Sequence, residues 1–119
     1  MKKVGSLALL VFCLGVSAPL FAQELKGKVV GVLQANKRGD CPESLMAPTL
    51  RSICEDQLPN IKKRLDALGD IDRAEYKGIE KLPNGLDAEV YKVIFDNGSM
   101  IWLATAGPDG KLNFMWSPG

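Results

Sequence analysis

The chain has 119 residues, with 15 lysines and arginines against 14 aspartates and glutamates, three cysteines and no histidine. A formal charge of +1 gives no cationic excess to neutralise phosphates, so nucleic acid is not the expected partner. The length suits one small domain with one core, and without histidine the commonest metal ligand and general base is missing.

Lys2 and Lys3 open the chain, and residues 4–14 are apolar apart from Gly5 and Ser6. Residues 15–18 are small, and Pro19-Leu20-Phe21-Ala22 leads to the first polar pair, Gln23-Glu24. This order reads as a secretory signal peptide over 1–22, too short and wrongly flanked for a membrane span, with cleavage after Ala22. Cys13 follows Phe12, where lipoprotein processing wants a small residue, so it is expected to leave with the leader. The mature chain, residues 23–119, then lies in the periplasm or outside the cell with no stable membrane anchor. Cys41 and Cys54 remain, and an even count in an exported chain implies a disulfide. A catalytic thiol or a metal site would need a histidine or more cysteines. Closing a loop of about 14 residues stabilises by roughly 3 kcal/mol in the chain-entropy model.

Leu25, Val29, Val32 and Leu33 follow the spacing of one helical face and predict a first helix over 24–38. Lys37, Arg38 and Gly39 suit its C-terminus. Pro48 opens a second helix over 48–57 with Leu50, Ile53 and Cys54 inward. Pro59 opens a third over 59–68, with Leu58, Ile61, Leu65 and Leu68 as its stripe and Gly69 as its stop. Lys62-Lys63-Arg64, the only basic run, is read as its solvated side.

From Asp70 the period changes to two. Ala74 and Tyr76 alternate with Arg73, Glu75 and Lys77 in a strand over 71–79. Strands over 88–96 and 99–106 flank Asn97-Gly98, a strong hairpin signal. A second turn over 107–111 leads to a last strand over 111–117. The fold class is therefore α+β: three N-terminal helices packed on one face of a four-stranded antiparallel sheet, in a single domain.

This order resembles the nuclear transport factor two-like (SnoaL-like) superfamily, a cone-shaped, cystatin-like α+β fold. The likeness is carried by Val90-Tyr91-Lys92-Val93-Ile94-Phe95-Asp96-Asn97-Gly98, by Trp102, and by Pro108-Asp109-Gly110-Lys111-Leu112. Small exported members of that superfamily are generally regarded as non-catalytic, which the resemblance implies here too.

Hairpin register assigns the faces. An Asn97-Gly98 loop sets Phe95 opposite Met100, Val93 opposite Trp102 and Tyr91 opposite Ala104, and opposed residues share a side. A three-residue loop over 108–110 sets Ala104 opposite Phe114 and Trp102 opposite Trp116. The expected core face is then Tyr91, Val93, Phe95, Met100, Trp102, Ala104, Ala106, Leu112, Phe114 and Trp116. The other face holds Val90, Lys92, Ile94, Ile101, Leu103, Thr105, Asn113 and Met115. It is too apolar for an ordinary solvent face. A one-residue slip in the second hairpin would bring Asn113 and Met115 inward and send Phe114 and Trp116 outward.

The leading expectation is a non-enzymatic protein-binding module that uses Val90, Lys92, Ile94, Ile101, Leu103, Thr105 and Met115. Its partner is a second copy, or a toxin or hydrolase restrained in the manner of an immunity protein. The alternative is a small hydrophobic ligand held between helices and sheet by Tyr76, Tyr91, Trp102 and Trp116. An isomerase- or dehydratase-type enzyme comes third, with Glu89 beside Tyr91 as its one candidate pair. No cofactor, metal or catalytic residue is assigned.

Overall fold

Val29, Val32 and Leu33 recur on one side of a helical turn, and burying them against the sheet locates the first helix. The computed structural model describes residues 25–119. The expected leader and cleavage bond, Cys13 and the expected helix start at 24 lie outside these. Helix α1 runs Lys26–Lys37, with Leu25, Val29, Val32 and Leu33 all buried as the spacing predicts. Lys37 ends it and donates from Nζ to the Gly69 carbonyl at 2.6 Å, fastening α1 to the far end of the next helix.

The second and third expected helices are one. Helix α2 runs Pro48–Leu68 through Pro59 without interruption, so the chain has two helices in its described part rather than three. Proline removes one amide donor and crowds the carbonyl four residues back. Here the packing of Leu50, Cys54 and Leu65, all buried, holds one axis despite that cost. Ile53, expected inside, is half exposed. Gly69 stops the helix at φ 88°, and a side chain there would meet Asp96 Cβ at 3.0 Å. The Cys41–Cys54 disulfide forms, with Cα atoms 6.1 Å apart, and joins the loop after α1 to α2. Among the described residues no helix is long and apolar enough to cross a membrane.

Strands β1 (Ile71–Lys81), β2 (Asp87–Phe95), β3 (Gly98–Ala106) and β4 (Leu112–Trp116) form an antiparallel sheet in chain order. Both helices pack on one face, so the molecule is α+β in two layers. Ala74 lies inward opposite Val93 and Tyr76 opposite Tyr91.

The hairpins differ from the expected registers in instructive ways. In β2–β3, Phe95 faces Gly98, Val93 faces Met100 and Tyr91 faces Trp102. The loop is Asp96-Asn97, one residue earlier than Asn97-Gly98, which shifts each pairing by two. A type I′ turn on Asn97-Gly98 needs a positive φ at both residues, and among the described residues none other than glycine has one. Instead the Asp96 and Asn97 amides donate to the Asp70 and Leu68 carbonyls at 3.0 and 2.9 Å. Tertiary docking of the loop overrides the local turn. Because the shift is two residues, every side chain of both strands keeps its expected face.

In β3–β4 the shift is odd. Ala106 pairs Leu112, but Thr105 pairs Phe114, Ala104 pairs Met115 and Leu103 pairs Trp116. Asn113 is the extra residue of a β-bulge, which reverses the alternation beyond it. Leu112 is tied inward by its neighbours: its amide donates to Leu45 and its carbonyl accepts from Ala47, both at 2.8 Å. Phe114 and Trp116 are therefore not core residues, and Met115 is not on the outer face; it packs against the core.

Candidate functional site

Of the residues expected on the outer face, Val90, Lys92, Ile94, Ile101, Leu103 and Thr105 share it by pairing, while Met115 has left it. Phe114 and Trp116 take its place. Trp116 is 52% exposed, and its strand partner Leu103 is only 3% exposed although it lies outside the main core cluster. Flanked across the strands by Val90 and Trp116, Leu103 is the buried centre of a patch whose rim is open. On the β1 side the patch ends at a row of ion pairs: Glu75 with Arg73 at 3.1 Å and with Lys77 at 3.2 Å. Side-chain hydrogen bonds from Lys77 and then Arg73 lower the Glu75 pKa, and those to Asp72 and then Glu75 raise that of Arg73. No described helix packs on this face.

A groove of about 350 Å³ lies between α2 and the β3–β4 side of the sheet. Met46, Met100 and Met115 line it with Leu65 and Trp102, while Gln57, Asn60, Arg64 and Ser117 supply its polar groups. Of the four residues expected around a ligand, Trp102 and Trp116 border this groove. Tyr76 and Tyr91 do not; their rings pack on each other, with centroids 5.6 Å apart, in the core. Arg64, read as part of a solvated run, is a lining residue. The helical spacing of Leu50, Ile53, Gln57, Asn60 and Arg64 carries the signal for this groove, and dividing α2 at Pro59 conceals it.

Glu89 and Tyr91 do meet. The Tyr91 hydroxyl donates to Glu89 Oε1 and also bonds the Lys26 backbone amide at the start of α1. Burial, then the hydrogen bond and charge of Glu89, raise the Tyr91 pKa far above its ordinary value. The hydroxyl stays neutral and is spent on fixing α1 to the sheet. Neither residue lines the groove, so the pair faces no open space there in which a substrate could sit. Among the described residues no group of three or more histidine, cysteine or carboxylate side chains converges as a metal site would require.

Fold and surface together define a small two-layer α+β domain, pinned by a disulfide, with a bare apolar sheet face and a lateral groove. No protein-family model, curated protein or solved structure matches the chain. The superfamily resemblance rests on its own motifs alone.

Proposed function

We propose that this chain is a non-enzymatic, exported protein-binding module that associates through the outer face of its sheet, with a second copy of itself as partner. The observation that carries the reading is the half-exposed Trp116 on one sheet face with Val90, Ile94, Ile101, Leu103 and Phe114. Contiguous apolar surface of this kind marks interaction sites, and tryptophan dominates the energetics of many of them. The patch holds one charge, Lys92, with Glu75 opposite it on β1. With Lys92 as its single charge, the apolar patch offers little to steer a strongly charged target, whereas sheet-on-sheet packing with its own copy needs only shared apolar shape. Export is supported by the leader and by the disulfide, which persists in oxidising compartments. The non-catalytic reading is supported by the closed Tyr91–Glu89 pair.

The test is sedimentation velocity on protein recovered from the periplasm of an expressing host. Wild type should associate reversibly with concentration, and an Ile101→Glu, Trp116→Asp double variant should be monomeric with an unchanged melting transition. Association that survives in the variant, or a wild type that stays monomeric at every concentration, would overturn the reading. In the second case, capture of a hydrolase or toxin lost on the same substitutions would move the chain to the inhibitor class.

A further inference from the structure

The groove beside α2 touches the outer-face patch only at Trp116, and it has the features of a small-molecule site. Its volume, about 350 Å³, falls at the lower end of the range of roughly 300–1,000 Å³ for such sites. All three methionines of the described residues line it. Unbranched thioether side chains adapt to a slender, flexible apolar guest better than to a rigid one.

Two polar features point to the other end of that guest. Trp102 lines the groove at 9% exposure, and its buried indole Nε1–H has no acceptor among the described residues. An unmet buried donor is unfavourable, and an oxygen brought by a ligand would satisfy it. Arg64 is the second feature. Along the same helix Arg51 pairs with Glu55 and Lys62 with Asp66, but Arg64 has no carboxylate partner among the described residues, and no carboxylate lines the groove. The two donors belong to one region. Both side chains line the groove. A groove with an apolar floor, one free guanidinium, one orphan N–H and no acidic group selects an anion with an apolar body.

We propose that this groove binds a fatty-acid-type ligand, a carboxylate on a flexible alkyl chain. The chain lies along Met46, Met100 and Met115, and the carboxylate is taken by Arg64 with the Trp102 indole as second donor. The site meets the outer face at Trp116 but rests on Arg64 and Trp102, neither of them an outer-face residue, so failure of either proposal leaves the other standing.

The experiment titrates submicellar decanoate, and decanol as the neutral counterpart of equal chain length, into a Trp116→Phe variant whose sole tryptophan is Trp102. Calorimetry on the wild type runs in parallel. Decanoate should change Trp102 emission saturably and bind at least about fivefold more tightly than decanol, as one partly solvated charge-assisted hydrogen bond implies. Adding Arg64→Gln should bring decanoate to the level of decanol and leave decanol binding and the denaturation midpoint unchanged. Three results overturn the proposal: no saturable binding of either probe by both methods, equal affinity for the two, or decanoate affinity indifferent to Arg64→Gln.

Discussion

Tyr91 is fully buried in the middle of the sheet, and its titration reaches into folding. Its hydroxyl is held protonated by burial and by Glu89. Below about pH 10, the ordinary tyrosine value, both folded and unfolded chains keep the proton, and this group adds no pH dependence. Above it the unfolded chain releases the proton while the folded one retains it, so stability falls as pH rises. Urea midpoints measured from about pH 9 to pH 11 should therefore decline in the wild type. In Tyr91→Phe they should start lower, by about 1 kcal/mol for the lost hydrogen bond, and decline less steeply. Equal slopes would show that the Tyr91 proton is not linked to folding. The sequence does bring Glu89 and Tyr91 to one side by their i, i+2 spacing on a strand. It does not show that the Lys26 amide closes the pair from above.

Among the elements, α2 is where local rules and tertiary packing disagree most. A proline in mid-sequence signals a boundary because it lacks an amide and crowds the preceding turn. That reasoning holds locally, but Leu50 and Cys54 before Pro59, and Leu65 after it, all rest on the same layer of the core. The cost of Pro59 is then borne by an intact helix. Since Pro59 is exposed, Pro59→Ala should restore a donor for the Glu55 carbonyl without removing packing. A gain of about 1–2 kcal/mol is expected, the helix-interior cost of proline less the greater freedom alanine gives the unfolded chain, read as a higher melting temperature. No gain, or a loss, would mean that the helix needs the proline-induced geometry. The same contrast runs through the strands. Period-two alternation locates all four, yet the bulge at Asn113 is invisible to it. One extra residue moves Met115 inward and Trp116 outward, and so remakes the β4 edge of the candidate surface.

Across the whole molecule, two thin layers must share one core, and the helical layer is short. The disulfide compensates by limiting the unfolded chain more than by adding contact. With a sequence separation of 13, replacing Cys41 and Cys54 together by alanine should lower stability by about 3 kcal/mol in that model, measured by denaturant unfolding. A loss near zero would mean that the loop between α1 and α2 is already confined by its other bonds, such as Arg51 Nε to the Cys41 carbonyl at 2.8 Å. The sheet is covered by described elements on one side only, which leaves the outer patch uncovered by them and the flank of α2 open as a groove.

Read alone, the residues settle what depends on near neighbours and on parity. They show where apolar periodicity is helical and where it alternates, which cysteines pair, and which side chains of β2 and β3 face together, since a two-residue slip preserves that assignment. Tertiary structure decided what depends on distant contacts: that packing carries α2 through Pro59, that Asp70 and Leu68 reset the first hairpin, and that Leu45 and Ala47 hold Leu112 inward ahead of the Asn113 bulge. The physical reason is one of energy scale. Turn and helix preferences amount to about 1–3 kcal/mol at a position, and burial of a few large side chains against a sheet exceeds that.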